Sequence, residues 1–370
     1  MKLQLLFIAV VLLTTPLIWL SPKTWRGKIM MLVTLLVWLY IAPLSLLIML
    51  SVAVCQWLLL QLGYIRFRRQ RLILSILLPV LPLVVYKMGH KIDDWIVPLG
   101  LSYYAFRQMH VAFEYYKGQL ANFTLEDYFQ YLLFLPVILI GPIHRIQQMQ
   151  RSLRRLKWQP ADFSEGLERI LYGMVKINFF GNYFFTNKLH EWASNINIPL
   201  LKTYVKLIGF TGNAYMQFAG FSDLAIGMGL LWGIRVMENF NYPFLATNMQ
   251  DFWTRWHISL SSWCKDYVFQ PILAFSRNRW IALVTAMLVL ALWHEISLRY
   301  ILWGVFHSSL ILLTVIIRRK FPSFSNYFNH HYFGRWLGRL WVLHAFAFSC
   351  LFLIIKDPFQ LSIKLNLLFK

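Results

Sequence analysis

Two histidines in this sequence have the chemistry of a general base in surroundings that are otherwise strongly apolar. His294 closes an uncharged run, Trp280 to Trp293, and is followed by Glu295. His257 lies in the segment Asp251-Phe-Trp-Thr-Arg-Trp-His-Ile-Ser-Leu-Ser-Ser-Trp263. A neutral imidazole can be buried at modest cost and can take a proton from a hydroxyl near neutral pH. Titratable groups set among membrane-depth runs usually mark function. The neighbours of both histidines suggest local helix: Asp251 with Arg255, and Glu295 with Arg299, stand four apart and can pair on one face. Asn248 is placed to cap a helix start, with Asp251 three residues on. At helical spacing Trp253, His257 and Ser261 share a face, so the segment predicts a short amphipathic helix that presents an imidazole beside indole surface and hydroxyls. The same pattern describes an interfacial helix whose histidine is simply hydrogen-bonded, and spacing alone favours that plainer reading. His294, for its part, also reads as a loop residue between two spans. His307, one turn into the next apolar run, reads as packing or as support behind a site.

A further polar position is Asp223, in Gly220-Phe-Ser-Asp-Leu-Ala-Ile-Gly227. An aspartate between apolar runs must face protein or water, and the small residues around it allow helices to approach closely. It can orient an imidazole, bind an ion or satisfy backbone amides; the structural role is the simplest. Several chemistries are excluded. Ser222 is not in a Gly-x-Ser-x-Gly elbow. The sequence contains no Walker loop, no Gly-x-Gly-x-x-Gly and no His-Glu-x-x-His. The His-x4-Asp pattern of soluble glycerolipid acyltransferases fails at His257, where the fifth residue on is Ser262. The three cysteines, Cys55, Cys264 and Cys350, form neither a disulfide framework nor a zinc spacing. His330-His331 lacks further ligands nearby. Neither a metal nor a tightly bound cofactor is expected.

The elements that must position these residues are membrane helices. The chain has 370 residues, 58% hydrophobic and 14% charged, against about 45–50% and about 25% in soluble domains. Apolar runs recur from end to end, which predicts an all-α polytopic membrane protein forming one domain over residues 1–370. The net charge of +21 is gathered in short loops: Lys23/Arg26/Lys28, Arg66/Arg68/Arg69/Arg71, Arg145 to Lys157, and Arg318/Arg319/Lys320. That is the pattern of cytoplasmic loops under the positive-inside rule rather than of a nucleic-acid-binding surface. Leu3–Leu20 reads as a retained first span, lacking the strong basic start and small-residue cleavage site of a signal peptide. Ile29–Ile65 reads as two spans broken near Pro43. Leu72–Tyr86, Tyr128–Ile143, Leu171–Asn187, Leu207–Ile234, Trp280–Trp293, Tyr300–Ile317 and Leu340–Ile355 are further apolar stretches. Ile96–Phe106 is shorter than the roughly 20 residues of a full span, and a re-entrant or horizontal placement keeps the Arg145–Lys157 loop inside. The hydropathy pattern gives roughly nine to eleven spans plus half-helices.

The motifs resemble the membrane-bound O-acyltransferase family in its bacterial branch, which contains alginate O-acetyltransferases and the D-alanyl transferases of teichoic acid modification. The resemblance rests on Asp251-Phe-Trp-Thr-Arg-Trp-His-Ile-Ser-Leu-Ser, then Leu292-Trp-His and Leu302-Trp-Gly. Gly100-Leu-Ser-Tyr-Tyr-Ala-Phe with Tyr116-Lys-Gly118, Gly141-Pro-Ile-His-Arg145, Gly220 to Gly227 and Glu238-Asn-Phe-Asn-Tyr-Pro243 follow the same order. It covers about residues 97 to 310. It implies a ring of tilted helices around a thin central funnel, with donor arriving from the cytoplasm and acceptor from outside. It implies that His294 is the catalytic histidine and His257 the second, supporting one, and that Asp223, Asn239 and Asn241 are polar positions of neighbouring motifs. Trp253, Trp256, Ser261, Trp293 and Glu295 line or support such a channel. The implied activity is transfer of an acyl group, acetyl foremost, from a thioester of coenzyme A or of an acyl-carrier protein to a hydroxyl of an extracytoplasmic glycan or envelope polymer. D-alanyl transfer from a carrier protein is the alternative, and a transporter or flippase is the leading non-enzyme class. Expected partners are membrane lipids, an acidic carrier protein at the cytoplasmic face, a periplasmic or extracellular acyltransferase partner and the glycan acceptor. The expected location is the bacterial cytoplasmic membrane. Where the family usually has Gly and later Trp-Asn after the catalytic histidine, this chain has Glu295, Leu298 and Arg299.

Overall fold

The computed structural model describes residues 2–61, 68–88, 100–120, 123–138 and 141–354. Arg66, residues 96–99 at the start of the Ile96–Phe106 run, and Ile355 lie outside them. The described chain is helical, with one isolated antiparallel bridge, Phe240 to Trp256. Six helices are long and apolar enough to cross a membrane, judged by length and composition among the described residues. The all-α membrane class therefore stands. The chain divides into two compact units, Met1–Gly173 with Phe221–Met237, and Met174–Gly220 with Glu238–Lys370.

The first unit contains α1 (Lys2–Leu20), α2 (Lys23–Ile41), α3 (Pro43–Gln61), α4 (Arg68–Met88), α5 (Leu101–Tyr116), α6 (Leu125–Leu132), α7 (Ile146–Arg154) and α8 (Pro160–Met174). The break expected at Pro43 falls there: α2 ends at Ile41 and α3 begins on the proline, whose ring cannot sit inside a continuing helix. The Tyr128–Ile143 stretch, in contrast, is not a span. α6 stops at Leu132, a single 3-10 turn follows at Leu135–Val137, and residues 141–145 are irregular. Pro136 and Pro142 withhold backbone donors, and side chains satisfy the irregular backbone: Thr34 Oγ1 accepts from Leu135 N at 3.0 Å, and Tyr131 Oη donates to the His144 carbonyl at 2.7 Å. Backbone this irregular is tolerated only inside protein, and Phe134, Leu135 and Ile143 are fully buried. α8 meets the Phe221–Met237 segment closely. A Cβ on Gly227 would stand 2.6 Å from the carbonyl oxygen of Gly166, so the contact requires glycine.

The second unit contains a π-helical segment (Val175–Lys188), α9 (Leu189–Ser194), the first part of α10 (Pro199–Leu231), α11 (Met249–Arg255), α12 (Ile258–Cys264), α13 (Gln270–Ser276), α14 (Arg279–His294), α15 (Leu298–Lys320), α16 (Pro322–His330), α17 (Tyr332–Ser349) and α18 (Leu351–Ile354). α14 and α15 form an antiparallel pair held at close approach by Gly304, where a Cβ would lie 2.9 Å from Ala291 Cβ. Beside them is an aromatic core in which Trp256 packs on Phe252, Phe240 and Phe346, with ring centroids 5.5, 5.0 and 4.6 Å away.

Candidate active site

α11 starts as its sequence dictates. Asn248 Oδ1 accepts from Asp251 N at 2.9 Å, and Arg255 Nε reaches Asp251 Oδ1 at 2.9 Å. The helix does not continue. Trp256 leaves it in extended conformation to bridge Phe240, Asn241 N donates to the Arg255 carbonyl at 3.0 Å, and Ile258 N donates to the Asn239 carbonyl at 2.9 Å. Between these contacts His257 takes a left-handed backbone, φ 45° and ψ 53°, and α12 starts behind it. The expected single helix with Trp253, His257 and Ser261 on one face is therefore corrected to two short helices hinged at His257. The cause is the pairing of residues 239–241 with 255–258, which outcompetes helical continuation. A non-glycine residue in this region costs on the order of 1 kcal/mol, and such strain tends to gather at functional positions.

The hinge presses the His257 ring inward. It is 3% exposed, meets Phe218 edge to face at 4.6 Å, and lies 6.0 Å from Trp293. His257 stands outside the span-length helices. Burial, and after it the neighbouring His294, hold its imidazole well below the usual histidine range. His257 Nε2 is buried with no hydrogen-bond partner among the described residues.

His294 is the last residue of α14, which ends because Glu295 turns to extended backbone. It is exposed. Its ring lies 4.3 Å from Trp293, is stacked with Tyr300 at 5.6 Å and 17°, and stands 6.0 Å from Trp303. Glu295 pairs with Arg299 as its spacing predicted, Arg299 Nε reaching Oε1 at 3.1 Å, and Arg299 Nη1 donates to the Leu353 carbonyl at 3.1 Å. His307 is fully buried, 4.5 Å from Trp303 and 5.2 Å from Trp253. The rings thus alternate in contact: His257, Trp293, His294, Trp303, His307, Trp253. Trp253 lies one helical turn before His257, which nearly closes the circuit.

The other expected residues divide. Asn239 is fully buried and acts on the hinge: its Oδ1 accepts from Ser259 Oγ at 2.6 Å. Asn241 is exposed and joins the hinge through its backbone. Trp256 sits in the aromatic core. Ser261 Oγ donates weakly to the Trp256 carbonyl at 3.4 Å. Asp223 belongs to the first unit, where Arg169 Nη1 binds its Oδ1 at 2.6 Å. Phe218 and Tyr300 went unnoticed in the sequence as neighbours of the histidines. Tyr300 stands six residues beyond His294 across a chain break, so no periodicity relates them, and Phe218 comes from a distant helix.

A cavity of about 720 Å³ is lined by Trp253 and Ser261, with Lys265, Arg279, Arg318 and Arg319 also on its wall. Leu283, Met287, Leu290 and Ile311 make it apolar between them. A cavity of this size and mixture suits a ligand with an apolar body and an anionic end.

The model of the MBOAT, membrane-bound O-acyltransferase family matches residues 3–355. Among curated proteins, the chain is 32% identical over 219 residues to a probable alginate O-acetylase AlgI of Pseudomonas aeruginosa, covering 57% of this chain and 41% of that protein. It is 30% identical over 285 residues to a teichoic acid D-alanyltransferase of Streptococcus thermophilus, covering 70% and 68%. It is 26% identical over 263 residues to a peptidoglycan O-acetyltransferase of Helicobacter pylori, covering 60% and 48%. The chain spans less than half the length of the alginate O-acetylases it matches. A family match running through both units, together with collinear histidine motifs, places the chain in the membrane-bound O-acyltransferase family.

Proposed function

We propose that this chain is a bacterial inner-membrane O-acyltransferase that moves an acyl group, acetyl foremost, from a cytoplasmic thioester to a hydroxyl of an extracytoplasmic glycan or envelope polymer. The observation that carries the reading is the convergence of His257 and His294 on Trp293. His294 acts as general base. It takes the proton of the acceptor hydroxyl as that oxygen attacks the thioester carbonyl carbon. The tetrahedral intermediate collapses with cleavage of the carbon–sulfur bond, and the thiolate takes the proton back from the imidazolium. No covalent enzyme intermediate is needed if both substrates are held together. A positioned base contributes about 10²–10⁴-fold. His257, or a backbone amide at its hinge, serves the carbonyl oxygen.

The donor thioester occupies the cavity beside Trp253 and Ser261, its phosphates toward Arg279, Arg318 and Arg319. The basic segment with Arg151, Arg154 and Arg155 docks an acidic carrier protein if the donor is carrier-bound. A periplasmic or extracellular partner receives or completes transfer to the glycan. Pro160–Lys188, Pro199–Leu231 and Arg279–His294 supply spans beyond the six of full length, bringing the total to the nine to eleven around a central funnel that the family implies. D-alanyl transfer is the second reading, favoured by the fuller coverage of the Streptococcus thermophilus protein.

The test is mass analysis of envelope polymers from cells carrying wild type, His294→Ala or no gene. Acylation lost in both of the latter, with His294→Ala still in the membrane, supports the reading. Wild-type modification by His294→Ala removes it. The mass added, acetyl or alanyl, separates the two donors.

A further inference from the structure

The first unit buries a cation that has no counter-ion. Arg107, on α5, is 1% exposed. Its Nη1 donates to the Leu132 carbonyl at 3.1 Å, and its guanidinium lies 4.5 Å from the Tyr131 ring and 5.4 Å from the Tyr104 ring. Its Nε and Nη2 are closed off from solvent and have no acceptor among the described residues. His144 stands beside it, 2% exposed, with both ring nitrogens in the same condition. Tyr131 links the two: its ring lies 5.0 Å from that of His144, and its hydroxyl donates to the His144 carbonyl at 2.7 Å.

The neighbouring charges do not neutralise Arg107. Arg145 and His110 add positive or neutral groups, and both Arg107 and Arg145 act on His144 and His110. His110 Nε2 is occupied as an acceptor of Ile146 N at 3.1 Å. The acid of α5, Glu114, holds Lys117 at 3.0 Å and accepts from Gln147 at 2.7 Å. On α6, Asp127 caps Thr124 and Glu126 faces Lys28 and Gln130. Tyrosine faces offset part of the cost of a buried guanidinium, but two unsatisfied charged donors in a low-dielectric interior are a state that folded proteins avoid. Arg107 and His144 also fall in or beside two segments that the sequence singled out and that acyl transfer does not use, Gly100–Phe106 and Gly141–Arg145.

We propose that Arg107 and His144 bind one small anion, of halide size, between α5 and the irregular Leu133–Arg145 segment. Nitrogens closed to solvent leave no room for phosphate or a sugar acid, whereas a halide needs only N–H donors and no acceptors. The ion ties α5 to a segment that lacks helical hydrogen bonds of its own. This inference does not depend on the acyl-transfer reading.

The experiment is thermal melting of the full chain in detergent at constant ionic strength, with sodium gluconate replaced stepwise by chloride or bromide. Wild type should gain melting temperature saturably with either halide, as ligand linkage requires. Arg107→Met should lose that dependence and melt below halide-loaded wild type. An Arg107→Met variant that melts at or above wild type would mean a bare buried cation has been relieved, and overturns the site; so does halide-independent melting of wild type. A halide effect equal in both proteins marks an adventitious ion only and also overturns it. Should Arg107→Met not fold, bromide anomalous scattering from wild-type crystals decides: a peak beside Arg107 supports the site and its absence there rejects it.

Discussion

The ring of Phe218 meets that of His257 edge to face, 4.6 Å between centroids and 87° between planes. The contact aims a strained histidine at Trp293. Phe218→Ala should therefore lower envelope acylation more than Phe218→Leu, which keeps apolar bulk, and should destabilise by about 2 kcal/mol, since large-to-small losses run to about 3–5 kcal/mol at fully buried sites and this one is half-buried. Denaturation and acylation measured at matched protein levels separate the two effects.

The left-handed backbone of His257 predicts an order of stabilities. His257→Gly relieves a strain of about 1 kcal/mol that His257→Ala retains. The glycine variant should melt above the alanine variant while both lose acylation. Equal melting would mean the hinge is unstrained.

Asn239 predicts a loss transmitted to the site. Asn239→Ala strips Ser259 of its buried acceptor, at a cost of about 1–3 kcal/mol, and loosens the pairing that turns the chain at His257. Acylation should fall although residue 239 need not touch substrate. Hydrogen exchange at Ile258 and Ser259 should rise in the variant.

A pH effect is expected where Glu165 meets Arg235 at 2.8 Å. The hydrogen bond and charge of Arg235 hold the Glu165 carboxyl below its usual 4.5, against a smaller opposing effect of burial. A carboxyl depressed on folding adds stability above its unfolded pKa and loses it as pH falls through the folded value. Both groups are well exposed, so the contribution is a few tenths of a kcal/mol. Melting from pH 6 down to about pH 3 should show a shallower decline in Arg235→Gln than in wild type.

Gly304 predicts sensitivity at the α14–α15 crossing. A methyl group there meets Ala291 Cβ at 2.9 Å and the Met287 carbonyl at 3.1 Å. Gly304→Ala should cost about 1–3 kcal/mol and shift His294 at the end of α14. Ala291→Gly in the same chain should restore part of both, because it removes the closest opposing atom.

Much of this molecule was legible in the sequence because its strongest signals are local. Uncharged runs placed α1, α15 and α17, Pro43 divided α2 from α3, and Asn248, Asp251 and Arg255 set the start of α11. What could not be read depends on distant partners. The hinge at His257 is made by Asn239 and Phe240, and no spacing within residues 251–263 announces it. Tyr128–Ile143 had the composition of a span, yet its prolines and buried side-chain partners make it an interior irregular segment. The contacts of His294 with Tyr300 and Trp303 arise only once α15 folds back on α14.

The alternation of imidazole and indole has a spectroscopic consequence. Each of His257, His294 and His307 lies within reach of the ring current of at least one tryptophan. Their carbon-bound ring protons should resonate away from those of histidines at the loops, such as His330. The chemistry of the site can then be followed through its own magnetic signature, proton by proton, before any substrate is known.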